Sequence, residues 1–465
     1  MLAWPAVSTT QPPTVTLRAL LALAGPVVLA RATQAVVGFT DALMTAPLGD
    51  DALTATTGGA LNSFSAVVLP MGTVFIIQSF VAQLVGKGRA AEARRYAWYG
   101  LGVAAFAGLL GLVALPLIDP VLGWFPHDPN VHRLMADYMG IRLTSVAAIV
   151  GVEALGNWFG GFGDTGKQMR AGLITMVANV AGNWLLIEGH LGAPAMGVRG
   201  AALASSLASW AGLAYLLVAL RRWPREGTAP ARWSWAELGR VLRYGLPSGF
   251  NWLLEFGAYA LFLNVAVARL GKAAFGALNV IMQVNSLAFM PAFGVATAGA
   301  ILSGQAIGAG RHELVGRALR LALAVSATWM GLVGLVYLAF PDQVMGLFAR
   351  GGDAGVDAGA VVAVGAPMLA ISSAWQLFDA TSMTVSETLR AAGDTAWTLW
   401  ARVILAWVVF VPASFAVVYV AHLGTTAIML CLVGYLAALA GVMTWRFRSG
   451  RWRDIDLTGR EPELV

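Results

Sequence analysis

Four acidic side chains, Asp41, Glu153, Glu255 and Asp379, fall inside stretches otherwise oily enough to cross a bilayer. In "YGLPSGFNWLLEFGAYALFLNVAVARLG", from Tyr244 to Gly271, Glu255 is the only charge between Asn251 and Asn264. A charge at the bilayer centre costs about 2.5–3.5 kcal/mol on insertion scales, so such residues face a wet interior and mark ion or substrate paths. Glu255 lies about 14 residues into its span and Asp379 about nine residues before the cytoplasmic end of its own, so the two can meet. Neighbouring carboxylates in a low dielectric cannot both stay ionised without a cation. The pair therefore calls for a shared proton or a bound metal ion, sodium being the candidate.

A second constellation is softer: Asp41 in "VVGFTDALM", Asn179 and Asn183 in "MVANVAGNWLL", and Ser205 or Ser206, with Ser206 taken as the candidate. Asn179 and Asn183 are four apart and share a helix face, where their amide oxygens can serve a proton relay or a sodium ion. Arg31 falls mid-span with no acid three or four residues away, so any partner comes from another helix. Glu153 sits toward the cytoplasmic loop holding Lys167 and Arg170, where snorkelling accounts for it as well as function does. Trp375, four residues before Asp379, and Gln283 and Met290 in the eighth span complete the candidates for lining a cleft. Met and aromatic side chains there can form an adaptable surface for greasy cations.

Signatures of catalysis are poor, and the reading is not an enzyme. His127, His132, His190, His312 and His422 lie in loops or at span ends without HExxH spacing, and "GNWFGGFGD" lacks the GK[ST] of a phosphate loop. A membrane transferase would need a clustered acidic metal motif, for which Asp50 and Asp51, in an outer loop, are the sole candidates. Cys431 is the single cysteine, so neither an intrachain disulfide nor a Cys-based metal cluster is available. No cofactor is called for beyond a coupling ion.

These residues have to be held by membrane helices. Of 465 residues, 58% are hydrophobic and 12% charged, against about 25% charged in soluble proteins. Apolar length and breakers predict twelve spans near 17–44, 58–82, 97–119, 133–156, 168–189, 198–221, 241–268, 276–304, 314–340, 361–388, 396–420 and 424–446. The first is too long for a secretory signal and reads as a retained helix. The even loops and the tail hold 22 Lys and Arg, Arg402 counted among them, and the odd loops six. The positive-inside rule then puts both termini in the cytoplasm. The cations encode topology and call for no nucleic-acid partner.

An internal repeat organises the chain. "QLVGKGRAAEARRYA" from Gln83 aligns with "QAIGAGRHELVGRAL" from Gln305 at a shift of 222, and "GDT" at Gly163 with "GDT" at Gly393 at a shift of 230. The predicted fold class is an all-α membrane protein of twelve transmembrane helices in two pseudo-symmetric six-helix lobes around a central cleft. The lobes are 17–222 and 240–446, joined by a cytoplasmic linker at 223–239 and followed by a cytoplasmic tail at 447–465.

"GFTDALM", "LGDDALTA", "VAQLVGKGR", "YGLPSGFNWLLE", "GQAIGAGR" and "LRAAGDT", in that order, resemble the multidrug and toxic compound extrusion (MATE) family from about Leu17 to Trp445. The resemblance implies an antiporter of the bacterial inner membrane, working as a monomer, that expels small organic cations in exchange for sodium or protons. Glu255 and Asp379 resemble the acids of the NorM-like branch. The family's first-lobe site maps onto Asp41, Asn179, Asn183 and Ser206. Trp375 stands where relatives often carry Tyr, and Arg31 has no counterpart in the family pattern. Arg31 in a cleft would oppose cationic drugs, and it motivates the alternative of a flippase for a lipid-linked saccharide, with Arg31 contacting pyrophosphate.

Overall fold

The computed structural model describes residues 14–126, 128–224, 233–349 and 358–459. His127, Arg225, Arg232, Arg350, Arg460 and the middle of the predicted linker lie outside the described residues. Among the described residues ten helical spans are long and apolar enough to cross a membrane, and two bent pairs, each taken as one span, bring the number to twelve. In order they are α1 (Leu17–Leu48), α2 (Asp50–Gly86), α3 (Arg94–Val113), α4 (Pro129–Leu143 and Val146–Gly161), α5 (Thr165–Ile187), α6 (Val198–Arg221), α7 (Trp235–Leu270), α8 (Lys272–Gly308), α9 (His312–Ala339), α10 (Ala358–Ser372 and Trp375–Ala392), α11 (Thr395–Val420) and α12 (Thr425–Arg448). Each predicted span coincides with one of these, and no strand occurs among the described residues.

The chain divides into two compact units. The first holds Leu29–Gly249 and the short Gly308–Gly310; the second holds residues 14–28, Phe250–Ile307 and everything described from Arg311 onward. The divisions inside α1 and α7 fall two residues after Pro26 and Pro247, where a missing N–H loosens the helix.

The repeat is visible in local structure. α4 bends by 47° and α10 by 52°, each fourth in its half. Carbonyls just before each bend take hydroxyl hydrogen bonds, at Ile141, Arg142 and Ala370 in addition to a backbone N–H three residues on. Thr144 and Ser145 donate to the carbonyls of Ile141 and Arg142 at 2.6 and 2.8 Å; Ser372 and Ser373 donate to those of Leu369 and Ala370 at 2.6 and 2.7 Å. The "GDT" pair also has a backbone cause. Gly163 (φ 86°) and Gly393 (φ 91°) take the left-handed conformation that ends a helix, while Asp164 N–H and Asp394 N–H bond back to Phe159 and Leu389. Burial raises the Asp164 carboxyl above the usual carboxylate range, against the pull of Lys167 and Arg170. Asp394 is instead held by Arg446, at 2.6 and 3.2 Å.

With lipid outside, helices associate through close packing of small residues. In the first unit, a Cβ on Gly182 of α5 would lie 2.9 Å from Ala204 Cβ of α6, and one on Gly172 would lie 2.6 Å from Thr33 Oγ1 of α1. These glycines bring three helix backbones together beneath the polar cluster described next. In the second unit, a core around Phe262, Ile281, Trp375, Phe410 and Met429 joins α7, α8, α10, α11 and α12. The described part of the tail packs on this unit, with Trp452 and Leu457 buried.

Candidate functional site

Asp41 lies on α1 two turns beyond Thr33; Asn179 lies on α5 two turns beyond Gly172, so the glycine contact sets their register. Asp41 Oδ1 accepts from Asn179 Nδ2 at 2.9 Å and Asn183 Nδ2 at 2.6 Å, and Oδ2 accepts from Ser205 Oγ at 2.7 Å. Asn179 Nδ2 also reaches Ser205 Oγ at 2.9 Å. All four side chains are buried. Three neutral donors hold the carboxylate, and no Lys or Arg pairs with it among the described residues. Asn183 Oδ1 is buried without a hydrogen-bond partner, an acceptor left over beside an anion.

Ser206 corrects one expectation. It turns to the Ile141 carbonyl at 3.4 Å, one helical step (about 100°) around α6 from Asp41, and Ser205 takes the place assigned to it. The sequence left both open because two adjacent serines differ only in which face α6 turns to α1.

Asp41 and Ser205 line a cavity of about 360 Å³ within the first unit. Val37, Phe64, Val67, Val146, Ile149 and Val152 form its apolar wall, with Gln34, Tyr138, Arg142 and Glu153 as further polar points. Ligand sites generally combine such an apolar body with few, placed polar groups. Arg142 ends the first half of α4 and donates to Ser145 Oγ at 3.3 Å.

Arg31 finds its partner on another helix, as expected, and that partner is Glu153, which overturns the snorkelling alternative. Arg31 Nη1 and Nη2 reach Glu153 Oε1 and Oε2 at 2.9 and 3.1 Å, and Gln34 Nε2 adds a third bond at 3.0 Å. Both charges are nearly inaccessible, at 7% and 3% side-chain exposure. Glu153 does not snorkel to the cytoplasmic loop, and Arg31 is no fixed positive charge. They form one neutral group, with Arg31 also over the Phe75 ring at 5.3 Å. Helical spacing within one segment could not reveal a pair separated by 122 positions.

In the second unit Glu255 of α7 accepts a hydrogen bond from Arg402 Nη1 of α11. Asp379 on the second half of α10 lies within electrostatic reach of both. The expectation of a shared proton or bound ion did not include Arg402, whose single positive charge offsets one of the two carboxylates. By its place at the start of the eleventh span, Arg402 counts among the cytoplasmic cations. The overlooked signal was its position seven residues into α11, ahead of an uncharged run to Val420. Trp375 is buried with its indole N–H unpartnered, and the next residue, Gln376, donates to Asn285 Oδ1 at 2.6 Å. Gln283 is exposed and Met290 half-buried on α8; neither lines the first unit's cavity.

Twelve apolar spans with buried, interacting charges define a polytopic α-helical membrane protein. The sequence model of the MatE family matches residues 26–185 and 247–416, one segment in each half. The chain belongs to that family. It is 27% identical over 429 residues to the multidrug resistance protein NorM of Burkholderia vietnamiensis, covering 91% of this chain and 92% of that one. Among solved structures, a MOP superfamily transporter from Pyrococcus furiosus superposes with a TM-score of 0.85 at 20% identity, covering 96% of this chain and 98% of that one. A multidrug resistance MATE family transporter, described in an outward-facing conformation, gives 0.84 at 20% identity, with 97% and 99% covered. The structural likenesses establish the fold.

Proposed function

We propose that the protein exports small organic compounds, chiefly cations, across the bacterial inner membrane in exchange for sodium or protons. It works as a monomer by alternating access, with both termini in the cytoplasm. The carrying observation is Asp41, a buried carboxylate held by neutral donors alone on the wall of a 360 Å³ apolar cavity. Such a group is neutralised by one proton, one small cation or the ammonium of a ligand, and these exclude one another. Exchange follows if the loaded forms differ in which conformation they favour. Glu255 and Asp379 offer a second cation acceptor in the other unit. The multidrug resistance proteins among the relatives support efflux as the direction.

The flippase alternative drew on Arg31 as a pyrophosphate contact. Both its terminal nitrogens are engaged by Glu153, which weighs against that reading. Ethidium counterflow in proteoliposomes, driven by a sodium or a pH gradient, tests the proposal. Asp41→Asn should lower gradient-driven flux about 10- to 100-fold, the range for losing hydrogen bonds to a charged group. Glu255→Gln should lower it as well. Wild-type flux indifferent to both gradients, or full flux in both variants, would overturn the reading.

A further inference from the structure

The pairs Arg31–Glu153 and Arg402–Glu255, each joining two different spans, are built differently. Arg31 grips Glu153 with both terminal nitrogens, Gln34 adds a third bond, and both charges are sealed from solvent. Arg402 holds Glu255 through Nη1 alone, on one carboxylate oxygen. Glu255 keeps 45% of its side chain exposed, so a mobile cation can reach it. A half-used guanidinium on an accessible carboxylate is a contact that can be exchanged.

The supporting helices are irregular at the matching place. Beyond Glu255, α7 winds into a π-helix over Phe262–Val267; beyond Arg402, α11 does so over Ile404–Phe410. The two segments touch, with the Phe262 and Phe410 rings 4.9 Å apart, and Trp407 Nε1 donates to the Leu254 carbonyl at 3.2 Å. π segments break the regular hydrogen-bond ladder and concentrate at functional positions. The charged and titratable groups facing the pair from neighbouring helices are Asp379 on α10 and Tyr435 on α12. With both acids ionised, Glu255, Asp379 and Arg402 leave one net negative charge.

We propose that Arg402 is a tethered counter-cation that holds Glu255 until a mobile cation displaces it, limiting the second unit to one monovalent cation at a time. This rests on the cation-exchange reading above. It makes Arg402 a positioning and specificity-determining residue, because a competing cation must outbid a guanidinium already in place.

The test is titration of full-length protein with tetraphenylphosphonium in an Asp41→Asn background, which confines binding to the second unit. Glu255→Gln leaves Asp379 facing Arg402 with no net charge and should weaken binding about tenfold or more, as for loss of a close charge pair. Adding Arg402→Gln restores one net negative charge and should recover affinity to within about threefold of the parent. Arg402→Gln alone should tighten binding about tenfold, and Arg402→Lys should leave it within about threefold. A residue that merely props two helices apart would give no such rescue. If Arg402→Gln alone does not fold, the double variant, which leaves no orphaned charge of the pair, decides. Failure of the double variant to recover binding, or a parent that binds no tetraphenylphosphonium, overturns the proposal. Ethidium counterflow by the wild type, measured alongside, tells that outcome from failure of the exchange reading itself.

Discussion

A guanidinium and a carboxylate are chemically the same at Arg31–Glu153 and at Arg402–Glu255, yet burial gives them different consequences. The sealed pair in the first unit is costly to break because either partner alone would be an uncompensated buried charge. Glu153→Ala should therefore destabilise the protein by about 3–5 kcal/mol, whereas Arg31→Met with Glu153→Leu should be near neutral. Thermal unfolding in detergent measures both; a double variant as unstable as the single would show that the pair does more than cancel its own charge. Asp41 is the opposite case. Its hydrogen bonds come from neutral donors, and no guanidinium or ammonium among the described residues is paired with it.

Helix packing decides whether such residues meet. Asn179 touches Ser205 because Gly182 lets α5 and α6 close to contact, and Asp41 joins them because Gly172 admits Thr33. Gly182→Val should push the helices apart and cost about 1–3 kcal/mol through overpacking. Its flux should fall with its melting temperature, as Asn179 and Ser205 withdraw from Asp41; unchanged melting would mean that the seam can yield. The breaks in α4 and α10 belong to the same scale. Each places hydroxyls at a bend, and in α4 the bend sets Arg142 and Ser145 beside each other near the cavity. In α10 it precedes Trp375 and Asp379, so the repeat has conserved a backbone device while the side chains around it diverged.

For the whole molecule, orientation follows from charge placement. In a background with Cys431→Ser, a membrane-impermeant maleimide should label Arg133→Cys and Lys272→Cys in intact cells, and Lys87→Cys and Arg311→Cys only after lysis. The reverse pattern would invert the topology and the direction of transport. Span number and the two-fold repeat were legible in the sequence because they are properties along one dimension: apolar length, breakers between spans, and motifs recurring at a fixed shift. Asp41 with Asn179 and Asn183 was legible for a related reason, since polar residues buried in adjacent oily spans have few partners except one another. Contacts between distant helices are set by rotation about each helix axis and by which glycines allow approach. Tertiary structure alone therefore chose Ser205 over Ser206, joined Arg31 to Glu153, and carried Arg402 from an apparent cytoplasmic edge to the side of Glu255. A single-residue step turns a side chain by about 100°, so small differences in packing decide which of two neighbours meets a charge.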